Sequence, residues 1–594
     1  MSQEGSPMAG ASPTATAAAN VGSLESLKEK GVIVVTEGEG PIAIFYHDDG
    51  QVHAVDNRCP HMGFPLHRGT VKDGILTCHW HHADFDLVSG CTFNLFADDV
   101  PTYPVEVKDG QVWLTPYRDR SGEVDYWKGR LKEGFEQGIG LVIAKAVIAL
   151  LRANIQYREI ICIGAAHGIR YRGSGWGPGL TIMAAMANIL DYLPVDEQVL
   201  PLYQGLVHMT RDSNGQAPRF DLQPLDTEAL PISTLKRWFR HFVEVRDDEG
   251  ANRCLLTAIQ AGSTPAELVD MIVAAATDHF FLDGGHVVDF INKGSELLDL
   301  IGWDQADTVL PSLTRQLCNA RRSEESNAWR HPVDLRELVH NAIDTLPKVQ
   351  VSSNGTSWEG PAPISSIILG EDPAVTIEAM NEALRNGVTL LQLSQTVTYA
   401  AALRVARFHT QNEFNDWIGV LHTFTYCNAL HQTIKRTGSR ELVRGVFHGA
   451  MAVYLDRFLN IPPARLPGER GDVTGPEDAD DILEAYLETL NTQQQVEPAA
   501  RLVHRYLSLG HPVERLFRTL AESLLREDAE FHSFQMLEAG IQQFEELRGT
   551  EEAKHVLVAV ARYLAAHAPT QRAMNQTAQI ALRLNRGEMV YEEE

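Results

Sequence analysis

Two short stretches constrain this chain of 594 residues more than any others: Cys59-Pro60-His61 and, after sixteen intervening residues, Cys78-His79-Trp80-His81. They set out two cysteines and two histidines as Cys-x-His and Cys-x-x-His. Such mixed donors suit tetrahedral zinc, and they equally suit a two-iron centre in which two thiolates hold one iron and two imidazoles the other. Ligand type and spacing leave both open, so the flanking sequence has to decide.

Cys59-Pro60-His61-Met62-Gly63 runs through Pro65-Leu66 to Gly69-Thr70-Val71, and the second stretch continues into Phe85-Asp86-Leu87-Val88-Ser89-Gly90. Pro101-Thr102-Tyr103-Pro104-Val105-Glu106-Val107 and Asp109-Gly110-Gln111-Val112-Trp113-Leu114 follow. This succession of turns and short strands resembles the Rieske family, in its ferredoxin and oxygenase branch, over about residues 23 to 118. The resemblance implies a [2Fe-2S] cluster with Cys59 and Cys78 on one iron and His61 and His81 on the other. His79 and His82 match no ligand position and read as polar loop edges; His53 and His67 read as strand or surface residues.

Respiratory members of the family carry an additional cysteine in each ligand loop and join the two in a disulfide; this chain has Phe64 and Trp80 at those places. It also has Ala83 and Phe85 where those members put hydroxyl donors near the cluster sulfurs. Fewer hydrogen bonds to sulfur leave the potential lower, so the resemblance implies the lower part of the Rieske window of about −150 to +300 mV, or somewhat below it. His79 stands where proline is usual and His82 where glycine is usual, so an uncommon backbone angle is expected at His82.

Composition narrows the class. The chain is long enough for three or four domains, and 44% apolar with 22% charged residues is ordinary for a soluble globular protein. A formal charge of −27, with no offsetting run of lysines or arginines, argues against nucleic acid and anionic membrane surfaces as partners. Five of the seven cysteines are scattered (Cys91, Cys162, Cys254, Cys318 and Cys427), which is no disulfide framework and points to a reducing compartment. Residues 1–22 read as a disordered tail without an export signal. The longest apolar run, Gly140 to Leu151, is broken by Lys145 and too short to span a bilayer. A cytoplasmic location is expected.

Before Tyr117 the pattern is β, with short runs at Val32–Val35, Ile42–Tyr46, Val52–Val55, Ile75–Cys78 and Val112–Leu114. Beyond about residue 126 it turns helical. Thr264-Pro265-Ala266-Glu267 carries the cap, first-turn proline and reciprocal glutamate of a helix start, and Thr410-Gln411-Asn412-Glu413 opens another with Phe414, Trp417, Ile418 and Leu421 on one face. A weak internal repeat links Ile189–Leu193 to Leu297–Ile301, with a third copy at Val420–Ile434. Breaks at Ser352–Pro363 and Pro467–Asp478 divide the helical part into 126–350, 364–466 and 480–594. The fold class expected is therefore an all-β Rieske domain over 23–118 followed by a large all-α region with weak repeats.

Rieske oxygenases place a mononuclear iron on two histidines and a carboxylate in a separate domain. Asp283-Gly284-Gly285-His286 begins their spacing, yet Ile291 and Asn292 occupy the places of the second histidine, which argues against a standard Rieske oxygenase. Asp278, His279, Asp283, His286 and Asp289 crowd one helix junction, and His409, Glu413, His422 and His431 another; the two groups could face one cavity and hold a second metal. Helix caps, turns and core packing are the plainer roles for the same residues. The glycine-rich segment His167–Gly179 lacks the preceding strand of a dinucleotide loop and reads as a flexible loop over a pocket.

The function expected is a Rieske-type [2Fe-2S] oxidoreductase. It would accept single electrons from a reductase or ferredoxin and deliver them to chemistry in or docked on the helical domain, with a small molecule as the possible substrate. A pure electron-transfer protein and a redox-responsive protein-interaction scaffold are the alternatives. No residue of the helical region is assigned a catalytic role.

Overall fold

The strand Gly40–Tyr46 alternates its side chains between two cores. Ile42 and Ile44 pack with Leu27, Ala54, Val112 and Leu114, while Ala43 and Phe45 pack with Val55, Leu66, Leu76 and Phe85. A strand covered on both faces reads as an unbroken apolar run rather than an alternating one, as this one does. In the computed structural model, which describes residues 18–591 except 39, 48, 49, 118, 119, 229, 347–359, 461 and 470–473, that strand is the centre of an N-terminal β domain.

Among the described residues, three antiparallel sheets make up the domain. Gly40–Tyr46 pairs with Val32–Glu37 on one side and Val52–Asp56 on the other, and the last pairs with Thr102–Tyr103. A second sheet sets Gln111–Leu114 between Ala19–Ser23 and Val105–Lys108. A third is the small meander Thr70–Lys72, Ile75–Thr77 and Asp84–Asp86. The five strands expected from the sequence all form. Of the expected tail, residues 1–17 lie outside the described residues, whereas Ala19–Ser23 is a paired strand, its backbone hydrogen bonds to Gln111–Leu114 outweighing a small, polar composition.

A large helical region follows, and the chain divides into two compact units, residues 1–154 together with 577–594, and residues 155–576. The division differs from the one read in the sequence. Helices Glu123–Gln137 and Gly140–Arg152 belong with the β domain, and so does the chain from Thr577 onward. The cause is visible at Lys145, the residue that interrupts the apolar run. Its ammonium is buried, donates to the carbonyl oxygens of Pro60 at 2.5 Å and His61 at 3.2 Å, and pairs with Asp98 at 3.1 Å. Asp98, buried too, receives Arg130 Nε on its other oxygen at 3.0 Å, and Arg130 also donates to the carbonyls of Leu95 and Ala97. A buried charge is tolerated when it is paired and its remaining donors are satisfied, and this network meets both conditions.

The second unit is helical throughout its regular structure. The capping box at Thr264 and Glu267 opens the helix Pro265–Thr277 as expected, and Glu413 caps the helix Phe414–Thr437, in which Trp417 and Leu421 are buried while Phe414 is exposed. The three repeat copies occupy unlike elements: a 3-10 turn at Leu190–Tyr192, the end of the helix His286–Ile301, and the middle of Phe414–Thr437. The sequence echo therefore does not mark a repeated helical unit. The expected breaks fall partly on 347–359 and 470–473, outside the described residues. Nor is the glycine-rich segment a loose loop. Trp176 is buried with its N–H on the Ser312 carbonyl at 2.7 Å, and a side chain at Gly177 would collide with Arg172 and Asp212. Among the described residues, no helix is long and apolar enough to cross a membrane.

Lys145→Met strips two carbonyls of their donor and leaves Asp98 with one cation, so the first unit should lose about 3–5 kcal/mol. The loss should appear as faster amide hydrogen exchange across Gly40–Tyr46; unchanged exchange there would refute the role given to the ammonium.

Candidate metal centre

Both cysteines start the same kind of turn. Cys59 N donates to the Phe64 carbonyl and Gly63 N to the Cys59 carbonyl, each at 2.8 Å; Cys78 N donates to the Ala83 carbonyl at 2.8 Å and His82 N to the Cys78 carbonyl at 3.0 Å. Each turn needs a left-handed residue at the corresponding place, Gly63 with φ 82° and His82 with φ 57°. Glycine takes that angle freely, whereas any other L-residue loses about 1–2 kcal/mol by it. The uncommon angle expected at His82 is thus present. A bridge between Arg58 and Pro65 closes the first loop, and the pairing of Thr77 with Asp84 closes the second.

The four residues picked out by the sequence converge at these turns. Cys59 and Cys78 are buried and their thiols share a hydrogen bond. That bond, with burial, raises Cys59, and it pulls Cys78 down to about 6 with help from the N–H groups of Trp80 and His81. One sulfur is therefore ready as thiolate, the form that binds metal. The rings of His61 and His81 meet edge to face, 4.7 Å between centroids. Burial first, and the Lys145 charge second, bring His61 down to about 4, keeping it the neutral imidazole that a metal requires. His61 Nδ1 is buried with no hydrogen-bond partner among the described residues, a state rare for a buried polar atom that lacks some further ligand. Paired sulfurs, paired imidazoles and an orphaned ring nitrogen fit a [2Fe-2S] cluster. His81 is exposed and His61 half-buried, Phe96 lying 4.9 Å from the His61 ring.

The neighbouring histidines hold other posts. His79 Nε2 lies 2.5 Å from the Thr70 hydroxyl, His67 is hydrogen-bonded to Asn57, and His53 stands against His47 in the strand Val52–Asp56.

Phe64 and Trp80, which stand where the resemblance would put a disulfide, are joined by a different device. Tyr591 lies edge to face on both, 5.0 Å from Phe64 and 5.3 Å from Trp80. The same returning segment gives its Gly587 carbonyl to Arg58 at 3.1 Å, and Arg58 forks onto Asp56 at 2.6 and 2.9 Å. It approaches Gly63 so closely that a Cβ there would sit 3.1 Å from the Met589 Cα. Nothing in the local sequence announces Tyr591, whereas the lone lysine in an apolar helix was a legible sign of Lys145.

In the helical unit the two expected histidine and acid groups are mostly occupied. Asp278 pairs with Arg240 and Arg444, His279 lies between Glu244 and Glu324, and Asp283 accepts from Arg321 N. Asp289 is buried on Gln535, and burial raises it to about 7. His409 accepts from Gln411 N, Glu413 is a cap, and His431 meets Ser394 at 2.8 Å. His286 and His422 do come together, with ring centroids 4.5 Å apart, and they are joined by His532, which the sequence reading did not single out.

Tyr591→Ala removes two aromatic pairs, each worth about 0.5–1.5 kcal/mol beyond its buried area, and should free the loops to separate. The expected result is faster bleaching of the visible cluster absorbance under a chelator, with Tyr591→Phe close to wild type; an alanine variant as durable as wild type would dismiss the bridge.

A family model for the Rieske [2Fe-2S] domain matches residues 18–104. The chain is similar to 4beta-methylsterol monooxygenase of Methylococcus capsulatus, 38% identical over 85 residues, or 13% of this chain and 23% of that protein. It is also similar to the 3-phenylpropionate/cinnamic acid dioxygenase ferredoxin subunit of Photorhabdus laumondii, 39% identical over 77 residues, or 13% of this chain and 73% of that protein. Among solved structures, Sphingomonas yanoikuyae B1 ferredoxin is similar at 26% identity, covering 16% of this chain and 97% of that one, with a TM-score of 0.16. The chain thus spans under a quarter of the monooxygenase but most of the ferredoxin subunit. Since that likeness takes in most of a ferredoxin rather than a fragment, the chain belongs to the Rieske [2Fe-2S] domain family, and the role of its N-terminal domain is electron transfer.

Proposed function

We propose that this protein is a Rieske-type oxidoreductase in which Cys59 and Cys78 hold one iron, and His61 and His81 the other, of a cluster that receives single electrons from a reductase or ferredoxin. The electrons serve chemistry in, or docked on, the helical region. The observation that carries the reading is the pair of matching cysteine turns, which deliver two sulfurs and two imidazoles from opposite loops to one place. When bound, the cluster supplies one-electron reduction and re-oxidation.

The chain's own residues divide the remaining work. The buried thiols of Cys59 and Cys78 keep water from the sulfur side, and the exposed ring of His81 offers an edge for a donor or acceptor to approach. Lys145 fixes the Pro60 and His61 carbonyls and sets a positive charge behind the first loop, which favours the state of the site with more negative charge. A ferredoxin subunit and a monooxygenase among the relatives support both the electron-transfer role and a link to oxygen chemistry. The exposed His81 equally suits a plain electron carrier, and a redox-responsive scaffold uses the same centre without turnover. Single turnover of the reduced protein with dioxygen separates them, since a carrier or scaffold yields no oxygenated product.

Cys78→Ser and His81→Ala each remove one of four ligands and should abolish the native visible and paramagnetic spectrum, with iron and acid-labile sulfide falling together. Retention of the full native spectrum in either variant would falsify the ligand assignment.

A further inference from the structure

The helix His286–Ile301 begins in an unusual way. Phe281 (φ 45°), Asp283 (φ 47°), Gly284 (φ 68°) and Gly285 (φ 100°) all precede it in left-handed backbone. For Phe281 and Asp283 that conformation is strained and persists only where the surroundings enforce it. Here they do: Asp283 N donates to the Arg321 carbonyl and receives Arg321 N on its carboxylate, both at 2.9 Å, and the Ser323 hydroxyl holds the Phe281 carbonyl at 2.7 Å. The two glycines let the turn close onto the helix Phe414–Thr437, since a Cβ on Gly285 would lie 3.2 Å from the His422 carbonyl and one on Gly284 3.5 Å from His422 Nδ1.

The strained turn delivers His286 to His422. His532 arrives from the first turn of a third helix, Phe531–Glu546, and ligand nitrogens of all three rings lie within 4.8 Å of one another. His422 Nε2 and His532 Nε2 are 2.8 Å apart. The other nitrogen of His532, Nδ1, lies 2.8 Å from Glu530 Oε2. That carboxylate contact orients the His532 ring and turns its Nε2 toward His422, the arrangement by which a carboxylate behind an imidazole supports a metal ligand. Phe290 and Phe531 lie beside the His286 ring, 5.5 and 5.6 Å between centroids.

We propose that His286, His422 and His532 form a second metal site, which binds one divalent first-row transition ion of the zinc or ferrous type. Three imidazoles on rigid helices, one of them backed by a carboxylate, are the ligands and outer support such ions take, and three protein ligands leave a fourth position open for water or a small substrate. Tetrahedral zinc with nitrogens at about 2.0–2.1 Å needs them roughly 3.4 Å apart, so the closest pair opens slightly and the widest closes, movements that imidazole rotation supplies. The site lies within the second unit and goes beyond the electron-transfer reading of the first.

The full chain, cluster assembled, is assayed for metals and titrated with Co2+. The expected result is one Co2+ per chain with the visible absorption of a four-coordinate, nitrogen-rich site, displaced by Zn2+ while cluster iron stays constant. His532→Gln should lose that absorption and Glu530→Gln should weaken binding about 10–100-fold, both keeping the cluster spectrum. No bound Co2+ in the wild type, or equal binding by His532→Gln, overturns the proposal. If a variant fails to fold by circular dichroism, the wild-type titration alone decides. Failure of the cluster assignment shows instead as a missing iron-sulfur spectrum, so the two outcomes are separable.

Discussion

A carboxylate withdrawn from water needs its charge met at both oxygens, and Asp98 is met by Arg130 on one and Lys145 on the other. Removing either cation would leave buried charge uncompensated, which is costlier than the pair is favourable. Both cations also donate to carbonyls of the chain around the metal centre, Arg130 to Leu95 and Ala97, Lys145 to Pro60 and His61. The two helices of the first unit therefore act as a rigid backing for the loop that carries Cys59 and His61. The Lys145 bond to the His61 carbonyl fixes the backbone that carries the ring, and its charge adds to the burial that keeps the ring neutral.

The helical unit buries polar groups in a different manner. Along one face of His286–Ile301 stand His286, Asp289, Lys293 and Glu296, at intervals of three and four residues, and along the facing helix Phe531–Glu546 stand His532, Gln535 and Glu538. Asp289 is met by Gln535, and Lys293 by Glu296 and Glu538, with Asn188 donating to both acids. Burial raises Asp289 and Glu538 to about 7. Apolar residues would fill such a seam at lower desolvation cost. A polar seam leading to three histidines gives the core chemistry that packing alone does not call for.

What could be read from the sequence follows the range of the forces involved. The coming together of Cys59, His61, Cys78 and His81 was legible because their spacing is local and such a set of side-chain types is one that metal chemistry restricts. The strand Gly40–Tyr46 and the capping box at Thr264 were legible because alternation and capping are short-range patterns, whereas the start read at Thr410 lies three residues early, the box being formed by Glu413 and Asp416. His286 and His422 were noticed, but His532 was not, because its partnership depends on how helices far apart in the chain pack. Of the two groups read as able to face one cavity, His286 and His422 meet, while Asp289 turns to Gln535 one turn along. The helices at Glu123 and Gly140 were assigned to the helical region on their periodicity, which says nothing of the buried ion network that binds them to the β domain.

Tyr591 gives the first unit a particular order of completion. The residues it clasps, Phe64 and Trp80, leave the ribosome some five hundred residues earlier, and at a synthesis rate of about 5–20 residues per second the interval is roughly half a minute to two minutes. Throughout that time the two cysteine turns stand without the ring that later lies against both of them. The joining of the two turns is thus an event of the whole first unit, since the stretch of sequence that carries the cysteines does not itself supply the ring that spans them.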